Sequence, residues 1–259
     1  MMTNSAITIL GVFAHPDDES MGPGGTLAKY AAAGHRVAFV TATDGGAGRL
    51  FADRPVDNTA LREIRRQETV ESARILGIEF LGFLGWQDRE LERASVLELE
   101  TTIAGIIRRG KPTVILTFHG SGISHHPDHR VIALAVKGAF LGAARAGWYP
   151  DADLEALRPH AAAKLYYYTL RREAIAKVDW PRTVYASPEE EITTVNDTRA
   201  TADVRWRAIE AHETQREGPP FERLYRAGVF AEECFVRVFP SWRAGDPIED
   251  DLLHGLASS

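Results

Sequence analysis

Apolar residues come in short runs along the first half of the chain, and amphipathic stretches separate them. Residues 6–13 and Val37 to Thr43 are nearly unbroken apolar runs, the pattern of strands buried on both faces. Between them residues 23–34 place Leu27, Tyr30 and Ala31 on one helical face, and Gly34 supplies a stop. Strand, helix and strand in under forty residues predict a βαβ unit and hence a parallel sheet. The alternation continues. A helix opens at Asn58 or Thr59 as cap, carries Leu61, Ile64, Glu68, Ala73 and Leu76 at helical spacing, and stops at Gly77. Ile78 to Leu84 is a third strand, Ser95 to Arg109 a helix ended by Gly110-Lys111-Pro112, and Thr113 to Phe118 a fourth strand. A helix from Pro127 to Ala146 follows, with proline in an allowed first-turn position.

Beyond this point the pattern loosens. Residues 148–159 form an excursion, Ala163 to Arg171 a strand, and 180–195 an irregular stretch with short strands. Thr198 to Gln215 is helical, Gly218-Pro219-Pro220 breaks it, and Ala231 to Phe239 is a last strand. The expected architecture is α/β: a Rossmann-like, mainly parallel sheet flanked by helices, with a smaller C-terminal extension of strands and a helix. It is expected as a single domain, with a core over about 6–147 and an elaboration over about 148–259. Asp44 to Asn58 has no periodicity. At about fifteen residues it is long enough to be a functional wall or lid, although solvation is the simpler reading of its Arg49 and Arg54.

Composition narrows the classes. The chain has 259 residues and a formal net charge of −6, which disfavours a nucleic acid as partner. No apolar stretch reaches the roughly 18 residues that span a bilayer, and the N-terminal run lacks a basic flank. A cytoplasmic protein with no integral membrane segment is the expectation. One cysteine, Cys234, rules out an internal disulfide and a cysteine-rich metal site. A metal would have to be held by histidine and carboxylate.

Two polar clusters interrupt the apolar pattern where strands end. His15-Pro16-Asp17-Asp18-Glu19 follows the first strand, and His125-His126-Pro127-Asp128-His129 follows the fourth. The C-terminal ends of parallel strands are where ligands bind. His15 and Asp18 are three apart on a tight turn, and His126 and His129 are three apart on one helical face. Two histidines, a carboxylate and a water make a catalytic zinc site, and the same donors suit iron, nickel or manganese. Of two adjacent aspartates one can bind metal while the other takes a proton from water. The surplus imidazole of the second cluster, held charged by Asp128, would stabilise an oxyanion or protonate a leaving amine. Gly22-Pro23-Gly24-Gly25 lacks the spacing of a dinucleotide fingerprint.

The two motifs in this order resemble the LmbE/PIG-L family of zinc-dependent de-N-acetylases, over residues 7–140 with an echo near 212. The resemblance implies zinc as cofactor, with His15, Asp18 and His129 as ligands and Asp17 as general base. It also implies His126 as the electrophilic or acid histidine and Asp128 as its partner. Arg65, in Arg65-x-x-Glu68 before Leu76-Gly77, and Asp88, after Phe83-Leu84-Gly85, match substrate-binding positions. His212, with Thr214-Gln215, resembles a late His-x-Ser/Thr-Gln element; it is grouped with the substrate-binding positions, evenly split between a wall of the site and the surface. Glu19 is evenly split between supporting the site and beginning a helix. The implied substrate is a small N-acetylated amino sugar or its conjugate, and relatives suggest a homo-oligomer. An amidase acting on a larger acyl or thiol-conjugate amide, and a non-catalytic sugar- or nucleotide-binding module, are the competing readings.

Overall fold

The structure is a computed structural model that describes residues 8–47, 57–149, 151–178, 183–215, 219–243 and 245–256. Most of the expected 44–58 loop, with Arg49 and Arg54, lies outside these residues, as do Trp180, Pro181 and Gly218.

The first half alternates as its apolar pattern requires. In chain order it contains β1 (Ile9–Phe13), α1 (Asp18–Met21), α2 (Gly24–Ala32), β2 (Val37–Thr43), α3 (Asn58–Leu76), β3 (Glu79–Trp86), α4 (Val96–Gly110), β4 (Val114–Phe118) and α5 (Pro127–Ala143). After these come α6 (Ala152–Glu155), β5 (Lys164–Thr169), α7 (Arg172–Ile175), β6 (Thr194–Asp197), α8 (Ala202–Ala211), α9 (Pro219–Arg226) and β7 (Glu232–Phe239). The strands form one seven-stranded sheet in the order β3-β2-β1-β4-β5-β7-β6. The five strands from β3 to β5 pair in parallel, and β7 runs antiparallel to both β5 and β6. All residues of β1, β2 and β4 are buried, which accounts for their continuous apolar runs. Helices α2 and α3 pack with α8, and α4 packs with α5. Right-handed crossovers put these two groups on opposite faces of the sheet.

The strand order reverses direction at β1. The chain moves outward from β1 to β2 and β3, then crosses back to β4 on the other side. That switch opens a crevice beyond the carboxyl ends of β1 and β4, where the two polar clusters lie.

Several boundaries differ from the sequence expectation. The cap of α3 is Asp57, whose side chain accepts from the N–H groups of Thr59 and Ala60. Strand β3 runs on to Trp86, with two register shifts against β2 and positive-φ glycines at 82 and 85. The expected helix from 198 to 215 is α8 flanked by two single 3-10 turns, and it leaves helical geometry at His212 (φ −85°, ψ 63°). Helix α9 starts on Pro219-Pro220, read from sequence only as a break; proline is tolerated in a first turn. Its Phe221 and Tyr225 join Ile209 and Phe230 in a small second core. Among the described residues no helix is long and apolar enough to cross a membrane.

The C-terminal strands are tied to the sheet by a buried ionic cluster. Glu249 accepts from Lys164 Nζ (3.2 Å), Tyr166 Oη (2.6 Å), Thr194 Oγ1 (3.2 Å) and Arg237. It thereby links β5, β6 and β7. Burial alone would raise its carboxyl, but Tyr166, Lys164 and Arg237 outweigh it and hold Glu249 below the usual glutamate value. A depressed folded-state pKa contributes stability above the unfolded value of about 4.3, and that contribution is lost as pH falls through the folded value. Glu249→Gln is therefore expected to destabilise the protein by about 3 kcal/mol at pH 7, roughly 6–12 °C in Tm. The gap to wild type should narrow below about pH 4. Thermal melts from pH 7 to 3 test this, and a gap that is absent at pH 7 or constant with pH would refute it.

Candidate active site

The first cluster is a turn bent by its own side chains. Asp18 Oδ2 accepts from the N–H groups of Ala14 (3.1 Å) and His15 (2.7 Å), folding the carboxylate back over the end of β1. Asp17 sits at φ 91°, ψ −24°, a region that costs a non-glycine residue about 1–3 kcal/mol. Its carbonyl accepts from the N–H groups of Ser20 and Met21 and starts α1. The glycines that follow make close approach possible. A Cβ on Gly22 would lie 2.7 Å from the Asp18 carbonyl oxygen, and one on Gly25 would lie 2.7 Å from Thr198 Cβ.

Helix α2 begins at these glycines, where a nucleotide-binding fold would receive a phosphate. Here Glu233 of β7 fills the position. Its two carboxylate oxygens accept from the N–H groups of Gly25 and Thr26, each at 2.8 Å. Buried Arg205 lies 3.0 Å from Glu233 and donates to the carbonyls of Ser20 (2.9 Å) and Met21 (2.7 Å). A protein carboxylate already neutralises this helix end, so the structure opposes the nucleotide-binding reading. No signal in the sequence marked Glu233 or Arg205 for this task.

The second cluster opens α5. His126 is its N-cap, and its Nδ1 accepts the Asp128 N–H at 3.2 Å. One turn on, His129 stacks on Phe118 with ring centroids 4.0 Å apart and donates from Nδ1 to the Gly122 carbonyl at 3.1 Å. Its Nε2 therefore faces the first cluster as an acceptor. It lies 3.1 Å from His15 Nδ1 and 3.3 Å from Asp18 Oδ1, and His15 Nδ1 lies 3.7 Å from Asp18 Oδ2. From the far side, His15 Nε2 reaches Asp128 Oδ2 at 3.1 Å and Asp88 Oδ1 at 3.2 Å.

These contacts test whether the site suits a cation. Each inward nitrogen belongs to a ring whose outer nitrogen gives its proton to an oxygen, so two lone pairs meet across 3.1 Å. Positive charge must sit between them. A proton can supply it: although burial disfavours the charged ring, Asp128, Asp88 and Asp18 raise His15 to about 10. A metal ion can supply it too. Bonds of about 2.0–2.1 Å at tetrahedral angles put donor atoms about 3.3 Å apart, close to the spacing here. Outer hydrogen bonds to carboxylate and carbonyl are also what orient metal-ligating histidines. Asp18 is held ionised against its burial by His129 and His15. Among the described residues, donor atoms of His15, His126 and His129 lie within 4.8 Å of one another, as do those of His15, Asp88 and Asp128. With the Asp18 carboxylate beside His15 and His129, the donors gathered here fit a divalent cation.

Two expected roles change. Asp128 does not hold His126. Its carboxylate is fully buried and accepts from His15, from the Arg89 N–H (2.8 Å) and from the Leu91 N–H (3.2 Å). Residues two apart on a helix do not face each other, so Asp128 is carried toward His15 instead. Nor is His126 kept charged. Burial, then the neighbouring His15 and His129, lower it to about 4. As a neutral ring accepting at Nδ1 it carries its proton on Nε2, where it is a donor.

The substrate-facing expectations sit deeper than anticipated. Asp88 is buried and spends its second oxygen on the Ala47 N–H at 3.0 Å. Arg65 is 2% exposed and donates to the Gly45 carbonyl and to Thr214 Oγ1. His212 is 1% exposed, and its Nε2 bonds Glu19 Oε1 at 2.7 Å. It offers almost no surface to a ligand. Glu19, fully buried in the first turn of α1, also accepts from Ser72 Oγ at 2.5 Å. Burial works against a charged His212, yet Glu19 and Asp17 raise it above the usual histidine value. Asp17 itself is pushed well above the usual aspartate range by burial and by the adjacent Asp18 charge.

The chain is similar to known proteins in sequence and in fold. The PIG-L family, described as GlcNAc-PI de-N-acetylase, matches residues 10–140. The chain is 33% identical to the 1D-myo-inositol 2-acetamido-2-deoxy-alpha-D-glucopyranoside deacetylase of Thermomonospora curvata, across 99% of this chain and 98% of that one. Its fold is similar to that of N,N'-diacetylchitobiose deacetylase from Pyrococcus horikoshii, with a TM-score of 0.72, 23% identity, and coverage of 90% of this chain and 84% of that one. The 4-carboxy-2-hydroxymuconate hydratase GalB of Pseudomonas putida shares the fold as well, with a TM-score of 0.65, 20% identity, and coverage of 92% and 98%. Fold alone therefore does not choose the chemistry; the sequence match does. The chain belongs to the PIG-L, or GlcNAc-PI de-N-acetylase, family of metal-dependent hydrolases that remove N-acetyl groups.

Proposed function

We propose that the protein is a zinc enzyme that hydrolyses the N-acetyl amide of a small N-acetylglucosaminide, with the inositol conjugate as first candidate. The observation that carries this reading is the convergence of His15 Nδ1, His129 Nε2 and the Asp18 carboxylate: the two nitrogens lie 3.1 Å apart, with Asp18 Oδ1 3.3 Å from His129 and Asp18 Oδ2 3.7 Å from His15. Two nitrogens and a carboxylate oxygen are the donors of a catalytic zinc site that keeps a position open. The substrate class follows the Thermomonospora relative, whose name specifies an N-acetylglucosamine-inositol.

When bound, zinc supplies a Lewis acid that acidifies a water and polarises the acetyl carbonyl. Every other task falls to groups of the chain itself. Asp17 takes the proton of the attacking water and holds it until the amine leaves. His126 Nε2–H donates to the carbonyl oxygen as negative charge gathers there, and the neutral ring does so without first losing a proton. Asp128 and Asp88 hold His15 from behind, and the Gly122 carbonyl holds His129. The C–N bond breaks, Asp17 returns its proton to the nitrogen, and acetate and a free amino sugar result.

Three outcomes test the assignment. Asp17→Asn should retain one metal per chain and lose about 10²–10⁴ in kcat; full turnover would remove Asp17 as base. His126→Ala should lower kcat by about 10²–10³ with metal unchanged, and an effect confined to KM would argue against oxyanion stabilisation. Asp128→Ala should weaken zinc binding by about 10–100-fold, read by competition with a chelating dye. Unaltered affinity would mean that the carboxylate does not brace His15. The panel for these assays is N-acetylglucosaminyl-inositol, diacetylchitobiose and N-acetylglucosamine, followed by acetate release with and without chelator.

A further inference from the structure

We propose that Gln215 and the Glu19–His212 pair are positioning residues for Asp17, and that the segment 212–215 exists in this fold to hold that residue's strained backbone. The inference rests on the reading of Asp17 as the proton acceptor.

A residue without glycine's freedom stays at positive φ only where its surroundings over-determine it. Asp17, at φ 91°, is the sole such residue in the metal-binding turn. Two contacts from the far end of the chain fix it. Gln215 Nε2 donates at 2.8 Å to the Pro16 carbonyl, the oxygen of the very peptide that leads into Asp17. His212 Nε2 bonds Glu19 at 2.7 Å, two residues beyond Asp17, and Ser72 of α3 holds the same carboxylate oxygen. The turn is thus gripped on both sides of Asp17 by residues three apart in one segment.

That segment is itself anchored. Between the two gripping residues, Thr214 gives both its N–H (2.8 Å) and its hydroxyl (2.6 Å) to Glu68 of α3. The chain leaves helix α8 at His212 and re-forms a single 3-10 turn over Glu213–Gln215, which brings residues 212 and 215 to the same turn of the motif. Glu19 and His212 are 0% and 1% exposed, so neither has surface for substrate. Neither makes a hydrogen bond or ion pair to His15, Asp18 or His129 among the described contacts. Their hydrogen bonds reach the reaction through the backbone on either side of Asp17, and the His212 ring also acts on the Asp17 carboxylate through its charge. A misplacement of about 1 Å in a reacting group is enough for a 10²-fold loss.

The test uses the zinc-loaded enzyme and N-acetylglucosaminyl-inositol. Gln215→Ala should lower kcat by about 10–100-fold, with KM within about twofold and with metal per chain and Tm close to wild type. Gln215→Glu, which replaces the donor with an acceptor facing Pro16, should do the same or worse, and His212→Asn should follow if either glutamine variant folds poorly. The distinguishing measurement is a double-mutant cycle with Asp17→Asn: once the base is gone, removing Gln215 should cost nothing further. A crystal structure of Gln215→Ala should show Asp17 away from positive φ. The proposal is overturned if Gln215→Ala costs the same factor with and without Asp17, if its loss tracks lost zinc or a lowered Tm, or if Asp17 keeps its backbone angle. Full turnover by Asp17→Asn would remove the reading of the base. A silent Gln215→Ala beside a dead Asp17→Asn would remove only the positioning role.

Discussion

Two imidazole nitrogens facing each other across 3.1 Å are the constraint around which the site is built. Lone pairs at that distance require positive charge between them, from a proton on His15 or from a metal ion. The surrounding structure is arranged to keep them there. His15 is pulled from behind by two buried carboxylates, and His129 is pinned by a backbone carbonyl and stacked on Phe118. Neither ring can turn its proton inward without giving up an oxygen partner in a buried setting, where an unmade hydrogen bond costs about 1–3 kcal/mol. The excess of carboxylate charge does the rest. Asp18, Asp88 and Asp128 crowd around one histidine, an arrangement that a divalent ion balances and a neutral pocket would not tolerate.

The fold makes this convergence possible at small cost in chain length. The two clusters follow neighbouring strands, β1 and β4, on either side of the point where strand order reverses. No loop needs to reach across the sheet, because the first turn of α5 and the turn before α1 meet over the same crevice. Parallel pairing also explains what was legible in the sequence. Strands buried on both faces must be apolar throughout, so β1, β2 and β4 announce themselves, and the polar residues at their ends stand out by contrast.

What was not legible is pairing and conformation. Asp128 stands beside His126 in the sequence, but helix geometry turns the two apart and delivers the carboxylate to His15. Asp57, Asn58 and Thr59 all have the chemistry of a cap, and only the fold selects the first. The stretch from 198 to 215 has helical character, yet the chain departs from the helix at His212, because the bonds to Glu19, Glu68 and Pro16 outweigh local propensity. Pro219-Pro220 reads as a break and becomes a first turn once Phe221 and Tyr225 find an aromatic core to join. In each case a tertiary contact from a distant element decides, and single-sequence periodicity carries no record of such contacts.

The C-terminal half then has a function that its irregular pattern conceals. It contributes none of the three donors proposed for the metal, and neither the base nor the oxyanion histidine. Yet Glu233 and Arg205 hold the carbonyls and N–H groups around α1 and α2, and residues 212–215 grip the turn that carries Asp17. The short helix α1 has only four residues, too few to be stable alone, and a non-glycine residue at its start is strained. Such a turn keeps its shape only if something outside it supplies the missing energy. A carboxylate on a rigid but relaxed loop would be easier to build, but its direction would be set by local preference. Here Thr214 ties residues 212–215 to Glu68 of α3 and Gln215 holds the Pro16 carbonyl, so on the proposed reading the contacts that close the domain also aim Asp17.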